Sequence, residues 1–428
     1  LYIAILLLAG VLTSCKVGKS YVRPDLHLPD SLERSQDSVS FGDQDWRDIY
    51  TDATLRSLIE RALDHNKDML IAAARVKEMA AQKRISTAAL LPDIKGKVTG
   101  ERELENHGGD AFKRSDTFEA QFLVSWEVDL WGNLRWARSA SIAEYLQSIE
   151  AQRALQMTIV AEVAQAYYEL VALDTELDIV KQTLKAREEG VRLARIRFAG
   201  GLTSETSYRQ AQVELARTAT LVPDLERKIS LKENDIAYLA GEYPNKIARS
   251  RLLQEFNSPE TLPVGLPSTL LERRPDIRQA EQKLIAANAK VGVAYTNMFP
   301  RLALTGGFGS ESTSLSELLK SPYAVMEGAL LTPIFGWGKN RAALKAKKAA
   351  YEAEVHSYEK SVLEAFKETR NAIVNFNKIK EVYELRANLE RSAKSYMDLA
   401  QLQYINGVIN YLDVLASKYP RWASNTSR

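Results

Sequence analysis

Catalysis needs acids, bases, nucleophiles or metal ligands at recognisable spacing, and this chain offers no such pattern. His27, His65, His107 and His356 share no metal-ligand spacing. There is no phosphate-binding loop and no nucleophile motif. The chain therefore reads as a non-enzyme that needs no cofactor. One residue has covalent chemistry open to it. Cys15 is the sole cysteine, so no intrachain disulfide is possible. It follows the apolar run Leu1 to Leu12 and the small residues Thr13-Ser14, and a polar stretch comes after it. The run is too short to span a bilayer comfortably. Its pattern is a secretory signal, and cleavage there would leave Cys15 at the new N-terminus. With no Met and no basic start, the sequence is expected to begin inside the signal.

The elements that would position any site come next. The chain has 428 residues, 26% charged, with net charge +2, which gives no sign of nucleic-acid binding or a disordered tail. Past the N-terminus no run of eighteen apolar residues occurs, so a bundle of transmembrane helices is excluded. A transmembrane β-barrel is not, because its strands alternate and leave little hydropathy signal.

The chain repeats itself. Trp131-Gly132 returns as Trp337-Gly338 at an offset of 206, as do Arg135 (Arg341), Ala143 (Ala349), Tyr145 (Tyr351), Phe198 (Tyr404) and Gly201-Leu202 (Gly407-Val408). Asp68, Ala72, Ala81 and Pro92 return as Asp276, Ala280, Ala289 and Pro300 at an offset of 208. The two-residue slip falls between Pro92 and Trp131. A period this long is no solenoid; it is a duplicated half-protein. The expected plan is a signal (1–14), a leader (15–50), a first repeat (51–257) and a second (258–428).

In the first repeat, helix is expected from Asp52–Leu55 to Leu91, with a break near His65-Asn66, and Pro92 ends it. Strands are expected at 94–102 and 117–130 around a polar loop, 103–115. The second strand sets Phe118, Ala120, Phe122, Val124, Trp126, Val128 and Leu130 against Glu119, Gln121, Ser125, Glu127 and Asp129; only Leu123 breaks the period of two. Such a strand fits lipid on one side and water on the other, or half-burial in a soluble sandwich. A long helical hairpin, 134–240, follows. Leu170, Leu173, Leu177, Val180 and Leu184 form its seam, and Pro223 should kink or break its second helix. More than sixty helical residues reach about 100 Å, which suits a periplasm-scale tube.

The second repeat gives a helix at 275–298, strands at 301–309 and 323–332 around a loop at 311–322, and a hairpin at 339–428, which Pro420 and a polar end should shorten. Four strands cannot close a barrel, since the smallest single-chain barrels have eight. Open edges in lipid would cost several kcal/mol per unpaired group. Other chains must complete the barrel, and three copies give twelve strands.

From Cys15 to about Leu415 the chain resembles the TolC-type outer-membrane factors, in particular the lipoprotein branch serving tripartite, RND-type efflux. The resemblance rests on Cys15-Lys16-Val17-Gly18-Lys19-Ser20-Tyr21-Val22-Arg23-Pro24, on Leu271-Glu272-Arg273-Arg274-Pro275-Asp276-Ile277-Arg278-Gln279-Ala280-Glu281, on Phe299-Pro300, Trp131-Gly132 and Asn410-Tyr411-Leu412-Asp413-Val414-Leu415. Leu12-Thr13-Ser14-Cys15 resembles a bacterial lipobox, and Lys16 after the cysteine favours the outer membrane.

The resemblance implies a mainly α fold with a transmembrane β part: a homotrimeric twelve-stranded β-barrel, four strands per chain, continuous with a long periplasmic α-helical barrel. It implies a passive exit duct for drugs, metals or other small molecules. Its partners would be a periplasmic adaptor, an inner-membrane RND-type pump and outer-membrane lipid, with no nucleic acid. Cys15 would be lipidated. Gly201, Leu202, Thr203, Gly407 and Val408 would form the adaptor-contact tip. Asp413 would ring the periplasmic gate in three copies, and Ile409, one turn earlier, could add an apolar ring. Charged positions that lock TolC shut are replaced here by Ala416, Ile409 and Ser207. Two other readings stand: a duct for type I protein secretion, and a structural coiled-coil lipoprotein of the envelope. The alternating strand argues against the latter.

Overall fold

The computed structural model describes residues 16–26, 44–106, 108, 112–250, 272–333 and 336–409. The expected signal 1–14, Cys15, the connector 258–267, Asp413 and the tail lie outside them. In order come α1 (Trp46–Ile49), α2 (Ala53–His65), α3 (Lys67–Ala88), β1 (Asp93–Glu105) and β2 (Lys113–Val128). Then follow α4 (Asn133–Ala199), α5 (Glu205–Leu239), α6 (Pro275–Thr296), β3 (Arg301–Ser312), a 3-10 turn (Leu315–Lys320), β4 (Pro322–Leu331) and α7 (Lys339–Ile405). The duplication is visible in α4 and α7, both 67 residues long.

Contacts divide the chain into two compact units. A sheet unit comprises 1–28, 72–153 and 271–363; a helical unit comprises 29–71, 154–270 and 364–428. Each unit draws on both halves of the sequence.

In the sheet unit the strands lie in the order β1-β2-β3-β4, all antiparallel. The strands of the first hairpin run further than the alternation indicates, so the loop shrinks from 103–115 to 106–112. Polar residues such as Glu103, paired with Ser115, still complete the backbone ladder. Trp136, Ala140 and Ala289 are buried together. Gly292 on α6 permits that approach, for a Cβ there would lie 2.3 Å from Trp136 Cδ2. Asp129 starts α4: its carboxylate accepts the Leu134 and Arg135 N–H groups, both at 3.0 Å, a favourable place for negative charge.

The helical unit has one large core, including Leu55, Leu58, Ile59, Ile159, Val163, Tyr167, Leu170 and Ile236. Asn66 separates α2 from α3. Its Oδ1 accepts the Asp68 and Met69 N–H groups (2.9 and 3.2 Å), and its Nδ2 donates to the Leu239 carbonyl (2.8 Å). Asp52 caps α2 by accepting the Thr54 and Leu55 N–H groups. Its other oxygen accepts Tyr167 Oη–H (2.7 Å) and Ser250 Oγ–H. Burial opposes that charge, but these donors prevail and hold the carboxyl below its usual range.

The break expected at Pro223 is absent, and α5 is continuous through it. Pro223 and Ala219, whose carbonyl loses a donor, both lie on the exposed face. Thr218 and Thr220 hydroxyls bond back to the Glu214 and Arg217 carbonyls (2.8 Å each). Packing of Thr218 and Leu225, both buried on either side, holds the helix together.

Candidate functional site

Alternation gives the sheet two chemically different faces. One carries Lys97, Thr99, Glu119, Gln121, Glu311 and Tyr323. On it Glu119 accepts from Lys97 Nζ (2.9 Å), Thr99 Oγ1 (3.2 Å) and Tyr323 Oη (2.7 Å). The other carries Ile94, Val98, Phe122, Val124, Phe308, Met326 and Leu330, all exposed. A bare apolar face of this extent needs a covering. Past Phe118, towards the 106–112 loop, the same face becomes charged: Asp116 accepts from both Arg102 Nε and Arg114 Nη2 at 2.7 Å. At the opposite end aromatic rings gather. Trp126 Nε1 donates to the Leu90 carbonyl (3.1 Å); Trp131 stacks on Phe299 at 5.1 Å and donates to the Pro300 carbonyl (2.7 Å). An apolar band ending in Trp at one rim and charge at the other has the layout of a membrane β-wall.

The leader is tied to the aromatic rim. Val17 N–H donates to the Trp131 carbonyl (3.1 Å), Trp136 Nε1 to the Val17 carbonyl (2.7 Å), and the Lys16 ammonium lies 3.5 Å from the Trp136 ring centroid. Further on, Arg23 grips Glu281 with two hydrogen bonds of 2.7 Å and Tyr21 Oη–H adds a third at 3.2 Å. Cys15 itself is outside the described residues. Its neighbour Lys16 is held where β2 passes into α4.

The second candidate region is in the helical unit, at the ends of α4 and α7. Leu202 N–H bonds the Arg197 carbonyl (2.8 Å) and Gly201 N–H the Phe198 carbonyl (3.0 Å). Val408 N–H bonds the Gln403 carbonyl (2.9 Å) and Gly407 N–H the Tyr404 carbonyl (3.1 Å). Both turns are the same glycine cap. They are brought together: Ala194, Ala211 and Tyr404 are buried in one cluster, with Val191, Leu193, Tyr208 and Ile409 against it. The Arg197 guanidinium lies 4.7 Å from the Tyr404 ring centroid and donates to its carbonyl. Leu202 and Val408 stand 72% and 69% exposed beside their glycines. Thr203 instead turns its hydroxyl inward. Ile409 is half-buried on the cluster, and Asp413 is outside the described residues.

Trp136 and Arg197 escaped sequence reasoning, while Lys16 was legible only as the residue after the cysteine and Tyr404 only as a repeat, neither as a contact. Among the described residues no cluster of metal-ligating side chains occurs, and no helix is long and apolar enough to cross a membrane.

Comparisons with known proteins agree with this layout. The model of the family described as outer membrane efflux protein matches residues 58–242 and 266–419. The chain is 32% identical to the outer membrane protein OprJ of Pseudomonas aeruginosa, over 96% of this chain and 88% of OprJ. It is 27% identical to the cation efflux system protein CusC of Escherichia coli strain K12, over 97% of this chain and 92% of CusC. The open-state structure of the Neisseria gonorrhoeae MtrE outer membrane channel superposes with a TM-score of 0.88 at 27% identity, covering 96% of this chain and 94% of MtrE. Both halves are matched, and the chain belongs to the outer membrane efflux protein family, as an efflux channel of the outer membrane.

Proposed function

We propose that three copies of the chain form the outer-membrane exit duct of a tripartite efflux pump, working with a periplasmic adaptor and an inner-membrane pump. The observation that carries this reading is the four-stranded sheet with one apolar face exposed and two open edges, β1 and β4. Open edges are not tolerated in lipid. Two copies would supply eight strands, whose interior fills with side chains; three supply twelve and leave a lumen. The polar face, with Lys97, Glu119 and Gln121, lines that lumen, and the apolar face meets lipid.

In this reading Cys15 is acylated. Lys16, fixed over Trp136 beside the aromatic rim, supports it, because a lipid on the preceding residue would enter the leaflet the sheet already contacts. Gly201, Leu202 and Thr203 with Gly407 and Val408 present the adaptor contact: two exposed aliphatic side chains on rigid glycine caps make a small apolar seat. Asp413 and Ile409 ring the gate. Three carboxylates around a constriction attract cations and repel one another. The conducted substrates are small molecules delivered by the pump.

Native mass spectrometry of the detergent-purified, full-length protein tests the assembly and should read three chains. A monodisperse monomer with its β-structure intact would overturn it. Loss of the protein should also sensitise cells to compounds expelled by a co-expressed adaptor and pump.

A further inference from the structure

The two repeats run alike where a strand gives way to a long helix, but their charge there differs. α4 begins just past β2 and α7 just past β4. In α4 the cation of the first turn is matched: Arg135 Nε lies 3.0 Å from the Asp129 carboxylate. At the offset of 206 Arg135 returns as Arg341, but Asp129 is replaced by Phe335. Asn133, Ser139, Ser141 and Ile142 are replaced by Lys339, Lys345, Lys347 and Lys348. The start of α7 thus carries five cations, with no acidic residue between Glu327 and Glu352. All five are exposed, and among the described residues none forms an ion pair. Cations in the first turns of a helix also oppose its dipole. Charge of one sign, left unmatched over several turns, attracts an anion.

Spacing and packing show where this charge points. Arg341, Lys345 and Lys348 recur at four and three residues and share one face of α7. A different face packs within the sheet unit: Asn340 Nδ2 donates to the Asn297 carbonyl (3.2 Å), and Tyr358 is buried. In α4 the face equivalent to the cationic one is crossed by the leader. Ser139, whose counterpart is Lys345, accepts from Lys16 Nζ at 2.8 Å. The leader carries the proposed lipid anchor, so this face looks away from the proposed lumen. In the first repeat a cation arrives at this level on the leader; in the second, α7 supplies its own. From Lys339 to Lys348 α7 rises about 14 Å, so the patch lies directly beyond the aromatic rim, at the level of lipid headgroups. Another copy of the chain is a poorer source of the anion. α3, which leads into the other edge of the sheet, ends with Lys83 and Arg84 and has no acidic residue between Glu78 and Asp93.

We propose that Arg341, Lys345 and Lys348, flanked by Lys339 and Lys347, bind the phosphate groups of anionic phospholipid in the periplasmic leaflet. Guanidinium and ammonium groups suit phosphate, and the guanidinium can hold it with two hydrogen bonds. The proposal rests on the reading of the sheet as a membrane wall, and adds the lipid chemistry that wall selects.

Native mass spectrometry of the detergent-purified, full-length protein, titrated with equal amounts of phosphatidylglycerol and phosphatidylethanolamine, tests it. Each cation near an anionic surface is worth about fivefold in binding, so phosphatidylglycerol should be retained at least about tenfold more strongly. The triple variant Arg341→Gln, Lys345→Gln, Lys348→Gln should lose this preference. The charge-keeping triple variant Arg341→Lys, Lys345→Arg, Lys348→Arg should retain it, as should Lys360→Gln, further along α7. Inorganic phosphate should displace the lipid no better than sodium chloride of equal ionic strength. Equal retention of the two lipids by the unsubstituted protein would overturn the proposal. Displacement by phosphate alone would do the same, because it would mark a site for small anions. So would a Gln variant that keeps its lipid preference and loses anion conductance in single-channel recordings, since the patch would then face the lumen. The same spectra count chains. A trimer without lipid preference overturns this site alone; a monomer overturns the assembly as well.

Discussion

Gly201 and Gly407, 206 residues apart, hold the same left-handed backbone, φ +72° and +75°, and close α4 and α7 with the same pair of hydrogen bonds. Among the described residues, chain neighbours aside, no heavy atom lies within 4 Å of a Cβ built on either residue, so backbone conformation is what demands glycine. Gly201→Ala or Gly407→Ala should each cost about 1 to 2 kcal/mol, the penalty for a side chain in this region. Amide exchange in the last turn of the affected helix should quicken by about tenfold. Gly200→Ala, where φ is negative, should change it little.

Gly292 is constrained by space instead. Gly292→Ala would push a methyl into Trp136 and should destabilise the sheet unit by about 1 to 3 kcal/mol. Because Trp136 also holds Val17 and Lys16, limited proteolysis should cut the leader faster in this variant. Equal cutting in variant and wild type would separate the leader from the Trp136 core.

Asp52 makes the stability of the helical unit depend on pH. Its folded-state carboxyl lies below the ordinary value of about 4, so the unfolded chain binds the proton more readily. The associated stability is complete above that value and is lost as pH falls through the folded-state value. Asp52→Asn should cost about 1 to 2 kcal/mol at pH 7, from a weakened cap and lost charged hydrogen bonds. Thermal unfolding should show the gap between variant and wild type narrowing as pH falls below the ordinary carboxyl value of about 4. A gap independent of pH would mean that the charge of Asp52 plays no part.

The proposed gate is open to electrical measurement. Asp413→Ala should reduce cation preference in single-channel recordings and leave trimer yield unchanged. Ile409→Ala should raise conductance, since it removes an apolar constriction. Unaltered selectivity and conductance in both variants would place the constriction elsewhere.

The proposed anchor calls for mass spectrometry of the mature N-terminal peptide, with lipid expected on Cys15. An uncleaved chain with an unmodified Cys15 would refute it. Cys15→Ala should leave the hydrogen bond of Val17 to Trp131 in place, because that contact lies two residues later.

What the sequence determined by itself was whatever is written in local periods or in exact repetition. Alternation from Phe118 to Val128 marks a two-faced strand, since a strand's side-chain period is 2. The expected helix ends at Leu91 and Met298 fall earlier, at Ala88 and Thr296, because Pro92 and Pro300 offer no N–H to those carbonyls four residues back and the last turns tighten; Gly201 and Gly407 close α4 and α7. The pairing of Trp131 with Trp337 exposes the duplication. What only the tertiary structure decided depends on residues far apart in the chain. Arg23 reaches Glu281 across 258 positions, and Ser250 reaches Asp52 across 198. No local pattern encodes such pairs, because each residue alone is an ordinary polar side chain. Pro223 makes the same point in reverse. Its local propensity argues for a break, yet burial of Thr218 and Leu225 around it carries the helix through.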